Sequence, residues 1–152
     1  MNTIKGDLIK YAQDGQFDVI VHGCNCFHTM GAGIAKQIKI KFPEAYAVDR
    51  TTNYGDKNKL GSLSSVDVKV KNDHIVTNVN GYTQWKYWSK NAQNLDYNAL
   101  RLVFRKIKKD FPKKKIGFPR IGAGLCGGNW NRISKIIDEE LNGADYTLVE
   151  FE

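Results

Sequence analysis

The run Phe17-Asp18-Val19-Ile20-Val21-His22-Gly23-Cys24-Asn25-Cys26-Phe27-His28-Thr29-Met30-Gly31-Ala32-Gly33 passes directly into Ile34, Ile38 and Phe42, spaced four residues apart. The residues up to Val21 read as a short strand, and the apolar stripe after Gly33 reads as one face of a helix. A glycine-rich turn between strand and helix leaves backbone N–H groups free at the positive end of the helix dipole, which suits a phosphate. Glycine also serves tight turns for backbone reasons alone, so this junction by itself leaves both readings open. A second junction of the same kind follows Ile116-Gly117-Phe118. It reads Pro119-Arg120-Ile121-Gly122-Ala123-Gly124-Leu125-Cys126-Gly127-Gly128-Asn129-Trp130 and leads into Ile133, Ile136, Ile137 and Leu141. Asn129 stands where a helix N-cap is expected. Two such loops on one sheet could hold two phosphates, or a diphosphate and its neighbouring sugar. Neither is a Walker loop or a dinucleotide fingerprint, because the Gly-Lys-Ser/Thr ending and the G-x-G-x-x-G spacing are both missing.

Outward from these loops, Ile75 to Val79 and Tyr146 to Val149 read as further strands, and Ser62 to Val70 alternates like a strand with one wet face. Leu100, Val103, Phe104 and Ile107 mark another one-sided helix. Strands alternating with such helices predict an α/β fold whose sheet is covered on both faces, with ligands in the loops at the strands' carboxyl ends. No repeat or linker-like segment divides the chain, so a single domain over 1–152 is expected.

At 152 residues the chain is long enough to bury about two thirds of its unfolded surface. Its 41% hydrophobic and 11% aromatic content is ordinary for a globular protein. No apolar run approaches the roughly 20 residues of a membrane span, and the start MNTIKGDLIKY has no apolar signal core. These features predict a cytoplasmic protein without a membrane partner. Three cysteines, with Cys24 and Cys26 one residue apart, fit reduced thiols rather than a disulfide framework. The net charge of +7 is concentrated at Arg105, Lys106, Lys108, Lys109, Lys113, Lys114 and Lys115. This stretch is read as a solvated helix face running into an exposed turn at Phe111-Pro112 rather than as a nucleic-acid site.

The joint pattern resembles the macro domain family. It consists of Lys5-Gly6-Asp7-Leu8, His22-Gly23-Cys24-Asn25 six residues before Gly31-Ala32-Gly33-Ile34-Ala35, and the loop from Pro119 to Trp130. The likeness spans most of the chain and implies a three-layer α/β/α sandwich with a central mixed, mostly parallel sheet. It also implies ADP-ribose in a cleft across the two loops. On this resemblance Asp7, with Leu8 beside it, takes the adenine amino group, and Asn25 reaches the distal ribose. Gly31, Ala32, Gly33 and Ile34 form the first diphosphate loop. Pro119, Ile121, Gly122, Ala123, Gly124, Leu125 and Cys126 form the second. Read from the residues alone, Asp7 is a turn carboxylate and Asn25 closes its own loop.

His22, Cys24, Cys26 and His28 are zinc-ligand types at two-residue spacing, but an extended segment of that length spans about 20 Å, whereas the ligands of one zinc lie within about 4 Å of each other. No metal and no cofactor are expected. Within the resemblance, glycohydrolases that remove ADP-ribose from protein or DNA use a lysine after a mid-chain threonine and an aspartate after Gly-Leu. Here those slots hold Gln84, with Lys86 nearby, and Cys126; an amide cannot form a Schiff base. The ADP-ribose 1″-phosphate phosphatases share a histidine before Cys-Asn and a Gly-Gly-Asp-Trp-like loop ending, against His22 and Gly127-Gly128-Asn129-Trp130 here. The reading carried forward is therefore binding of ADP-ribose with hydrolysis of ADP-ribose 1″-phosphate, with His22 and Asn25 as candidate catalytic residues. His22 has an equal structural reading, as a core histidine at a strand end. The alternatives are an ADP-ribosyl glycohydrolase acting on ADP-ribosylated macromolecules, and a module that only binds ADP-ribose. An RNA-binding surface using Trp85, Tyr87 and Trp88 lacks any RNA-module signature.

Overall fold

A computed structural model describes residues 1–86, 94–124 and 126–151. In chain order the elements are β1 (Asn2–Lys5), α1 (Leu8–Gln13), β2 (Val19–Cys24), α2 (Gly33–Lys41), α3 (Pro43–Asp49), β3 (Leu63–Lys69), β4 (Ile75–Tyr82), α4 (Tyr97–Asp110), β5 (Lys115–Phe118), α5 (Trp130–Glu140) and β6 (Asp145–Glu150). The strands form one sheet in the order β1-β6-β5-β2-β4-β3. Every neighbouring pair is parallel except β3 with β4. The sheet is thus mixed and mostly parallel, as the resemblance implied.

Alternation along β2 decides the layers. Val19 and Val21 join a core built with α4 and α5, while Ile20 joins one built with α1, α2 and α3. Helices therefore cover both faces, each through its apolar stripe: Val103, Phe104 and Ile107 on α4, Ile133 and Ile137 on α5, Ile38 on α2. Asn129 caps α5 as expected, its side chain accepting a bond from Arg132 N at 3.2 Å.

Three elements carry no signal that period alone could find. All four residues of β1 are exposed, because it is an edge strand. The α1 helix has only six residues, and α3 starts at Pro43, which ends α2 and sits at a first-turn position where its missing N–H costs nothing.

Of the basic stretch, Arg105 bonds to Glu140, as Arg101 one turn before it does together with Glu139, so these cations tie α4 to α5. Phe111 is not an exposed turn residue but packs partly against the α4/α5 core. Lys113 and Lys114 lie just before β5, at the amino edge of the parallel strands. Among the described residues no helix is long and apolar enough to cross a membrane.

Both glycine-rich loops leave from the opposite, carboxyl edge. They follow β2 and β5, which are adjacent in the sheet. From this pair the chain builds outward in two directions, to β4 and β3 on one side and to β6 and β1 on the other. Loops that diverge from such a switch point leave a crevice between them.

Candidate functional site

A cleft of about 830 Å³ opens at this edge. Asp7 and Leu8 line it from the β1–α1 turn, Gly33 and Ile34 from the start of α2, Pro119 and Arg120 from the second loop, and Phe151 from beyond β6. Its volume is that of a site for a small ligand. Gly31 and Ala32 are exposed on the approach to α2. Ala32, the N-cap of α2, offers no side-chain hydrogen bond, so the first N–H groups of this helix have no capping acceptor. A side chain at Gly31 or Gly33 would meet nothing within 4 Å, which leaves room for a ligand against the backbone. Gly33 also holds φ +57°, a conformation that favours glycine.

Asp7 is the N-cap of α1: Oδ1 accepts from Ile9 N at 3.0 Å and Lys10 N at 3.2 Å. Those bonds hold the carboxylate at the wall of the cleft and leave Oδ2 for another donor. Phe151, 85% exposed, stands at the same end. Sequence reasoning passed over it, since a lone aromatic after the last strand carries no pattern.

The second loop folds on its own backbone, with Gly127 N bonded to Gly124 O at 3.0 Å and Gly128 N to Gly122 O at 2.8 Å. Gly122, at φ +76°, passes so close to Leu95 that a Cβ would come within 2.8 Å of that side chain. Gly124 faces open space. Ala123 and Cys126 are half-buried, and Leu125 lies outside the described residues. Ile121 is buried in the α4/α5 core, so its side chain faces inward. The Cys126 thiol donates to Gln84 Oε1, and the Cys126 carbonyl accepts from Asn94 N at 2.9 Å, which fastens this loop to the chain following β4.

Asn25 is buried and closes its own loop. Oδ1 accepts from Phe27 N at 2.8 Å and from Thr29 Oγ1 at 3.2 Å, while Nδ2 donates to Thr29 O at 3.1 Å. One amide hydrogen remains for a ligand. The loop is pinned at Cys26, whose N bonds to Trp85 O at 2.9 Å and whose O accepts from Gly55 N at 2.7 Å and from the buried Lys59 Nζ at 3.3 Å. Lys59 also lies 4.6 Å over the Tyr82 ring. Nothing in the sequence marks Lys59, because its partners come from β4 and the β2–α2 loop.

His22 does not line the cleft. Its ring is fully buried on the sheet face covered by α2 and α3, with Nε2 2.6 Å from Asn80 Oδ1. Asn80 Oδ1 also accepts from Asn78 Nδ2, so His22 Nε2 is the nitrogen that carries the proton. Asn80 Nδ2 in turn donates to Ala45 O of α3 at 2.9 Å. Burial pushes the imidazole down to about 4, so the ring is neutral at physiological pH. In this position it has no surface to offer a ligand.

Cys24 is a small buried residue beside His22, with Sγ 3.6 Å from Nε2. His28 Nε2 turns to Thr52 O at 2.8 Å. Among the described residues no three His, Cys, Asp or Glu side chains are grouped to hold a metal ion. Trp85 packs edge-on against Phe27 and donates Nε1–H to Gly55 O, so it walls the Asn25 loop. Tyr87 and Trp88 lie outside the described residues.

Comparison with known proteins agrees with this geometry. A family model described as Macro domain matches residues 21–137. An uncharacterized 17.5 kDa protein from the tk-vs intergenic region of Enterobacteria phage T4 is 36% identical over 98% of this chain and 95% of its own length. An ADP-ribose 1″-phosphate phosphatase of Saccharomyces cerevisiae (strain YJM789) is 23% identical over 97% of this chain and 96% of its own. Among solved structures, Thermosipho africanus DarTG in complex with ADP-ribose superposes with a TM-score of 0.77 at 17% identity, over 99% of this chain and 42% of that one.

Proposed function

The chain belongs to the macro domain family, and on that premise we propose that it binds ADP-ribose and hydrolyses the phosphomonoester of ADP-ribose 1″-phosphate. The observation that carries the reading is the uncapped start of α2 in a cleft that also holds Asp7 and Phe151. Adenine lies against Phe151 with its amino group on Asp7 Oδ2. The diphosphate receives the N–H groups at the start of α2 and, from the second loop, those of Gly122 and Gly124, which the loop's own backbone bonds among the described residues do not use. That leaves the distal ribose and its 1″-phosphate toward Asn25.

Hydrolysis breaks the bond between phosphorus and the 1″ oxygen. Water supplies the new oxygen to phosphorus, and the ribose hydroxyl leaves with a proton. Charge on the phosphoryl oxygens is met by loop N–H groups and by the remaining Asn25 amide hydrogen, so the rate comes from positioning and electrostatic stabilisation. Asn129 is engaged as the α5 cap, and His22 acts at a distance as a positioning residue within the Asn80 network. Slow turnover follows, because among the described residues no acid or base is placed at Asn25 to serve the reacting phosphate.

The phosphatase relatives support this reading, and Gln84 and Cys126 in the glycohydrolase slots weigh against ADP-ribosyl removal. The test offers ADP-ribose 1″-phosphate, ADP-ribosylated protein and ADP-ribosylated DNA side by side. Phosphate release from the first alone supports the proposal. Release of ADP-ribose from either macromolecule replaces it with glycohydrolysis, and binding without turnover replaces it with a recognition module.

A further inference from the structure

The geometry points to a second anion subsite in the same cleft, one that takes a phosphate carried on the adenosine ribose of the ligand. The inference rests on the ADP-ribose reading above and extends it to the substrate class. In ADP-ribose the adenosine ribose lies between adenine and the diphosphate. Adenine is assigned to the end of the cleft holding Asp7 and Phe151, and the diphosphate to Gly33 and the loop from Gly122 to Gly124. Arg120 lines the cleft together with Phe151 and stands two residues before Gly122, so the chain carries it between the ends assigned to adenine and to the diphosphate, within reach of the ribose that joins them.

Arg120 is held for such a role. Its guanidinium lies 5.1 Å over the Trp130 ring, a contact that orients a planar cation without spending its hydrogen-bond donors. Among the described residues it has no carboxylate within ion-pair distance, in contrast to Arg101 and Arg105, which are taken up by Glu139 and Glu140. Lys10 of α1 and Lys41 of α2 line the same cleft and likewise have no ion-pair partner among the described residues. Against these three cations stand, among the described residues that line the cleft, two acids: Asp7, whose Oδ1 is already engaged by the α1 N–H groups, and Glu150. A cleft for ADP-ribose alone needs charge at its diphosphate, which the α2 start and the second loop provide through backbone. A free guanidinium beside the adenosine ribose is the device by which nucleotide sites accept a phosphorylated ribose in place of a free hydroxyl. The phosphate can be a monoester, as on a small nucleotide, or a diester joining the adenosine to a further nucleotide.

Calorimetric titration of the full chain compares four ligands: ADP-ribose, its adenosine 2′-phosphate, its adenosine 3′-phosphate, and an ADP-ribose joined through its adenosine 3′ oxygen to a second nucleotide. At least one phosphorylated ligand is expected to bind about tenfold or more tighter than ADP-ribose, the scale of a charge-assisted contact. The ratio should fall toward one in Arg120→Ala and be kept in part by Arg120→Lys. Arg120 is exposed, so neither change disturbs the core. A gain with a monoester alone identifies a small nucleotide as the ligand, and a gain with the diester as well identifies a chain-extended one. Equal affinity for all four ligands overturns the inference and leaves ADP-ribose binding intact, as does a gain that survives Arg120→Ala. Failure to bind any of the four removes the ADP-ribose reading and this inference with it.

Discussion

The Cys126 thiol donates a hydrogen bond to Gln84 Oε1, joining the second glycine loop to the segment that follows β4. On the resemblance read from the sequence, these fall in the slots where glycohydrolases carry an aspartate and a lysine, so on that reading both departures meet at one point. Burial pushes the Cys126 thiol up, which keeps it a neutral donor. Neither side chain can form or support a Schiff base. Incubation with ADP-ribose and borohydride is therefore expected to leave no covalent adduct detectable by mass spectrometry. A reduced adduct on the exposed Lys86 would move the function to ADP-ribosyl removal.

The open backbone at the start of α2 gives a direct test of the diphosphate site. ADP-ribose at 100 times its dissociation constant should stabilise the fold by about 2.7 kcal/mol and raise Tm accordingly. Gly33→Glu should abolish that rise by placing bulk and negative charge against the diphosphate, though its positive φ also strains the fold. Gly31→Glu separates the two effects, because Gly31 has open space and no positive φ. If both folded variants keep the full ligand response, the diphosphate lies elsewhere.

The buried His22 sets a pH dependence. Its pKa falls from 6.5 to about 4 on folding, so between those values the unfolded chain binds a proton that the native one does not. The stability that neutral His22 contributes is complete above about pH 6.5 and is lost as pH falls toward 4. The shift corresponds to about 3 kcal/mol at most. Denaturant melts from pH 7 to 4 should show a steeper decline for the wild type than for His22→Gln. Parallel curves would refute the assignment. On activity, His22→Ala should cost far less than the roughly 10² to 10⁴ of a group that transfers a proton in the reaction.

Asn25 and Asp7 should differ in the kinetic constant they affect. Asp7→Ala removes a ligand contact remote from the phosphate and should chiefly raise KM, with about 1 kcal/mol of stability lost from the α1 cap. Asn25→Ala should lower kcat more than it raises KM, and also destabilise the loop by about 1–3 kcal/mol because Phe27 N loses its acceptor. Asn25→Asp keeps that acceptor while setting a negative charge against the phosphate, so it should lose turnover with a smaller change in Tm. Equal phosphate release by wild type and Asn25→Ala would end the phosphatase reading.

Much of this molecule is written locally. The four-residue spacing of Ile34, Ile38 and Phe42, the apolar run around Val19 to Val21, the two glycine junctions and the Asn129 cap each depend on residues close in sequence. They therefore determined the α/β class, the helices on both faces and the edge of the sheet that carries the cleft. What the sequence left open depends on contacts between distant segments. Whether His22 faces solvent or core turned on α3 covering that face and on Asn80, 58 residues away. Whether Asn25 serves the ligand or its own loop stayed undecided because that loop is pinned at the neighbouring Cys26 by Gly55, Lys59 and Trp85, all distant in sequence. Phe151, Arg120 and the Gln84–Cys126 bond became visible only when β4, β5 and β6 brought their carboxyl ends together. Periodicity encodes which face of an element is apolar; which side chains meet across the sheet is settled by packing, and packing is a property of the folded chain.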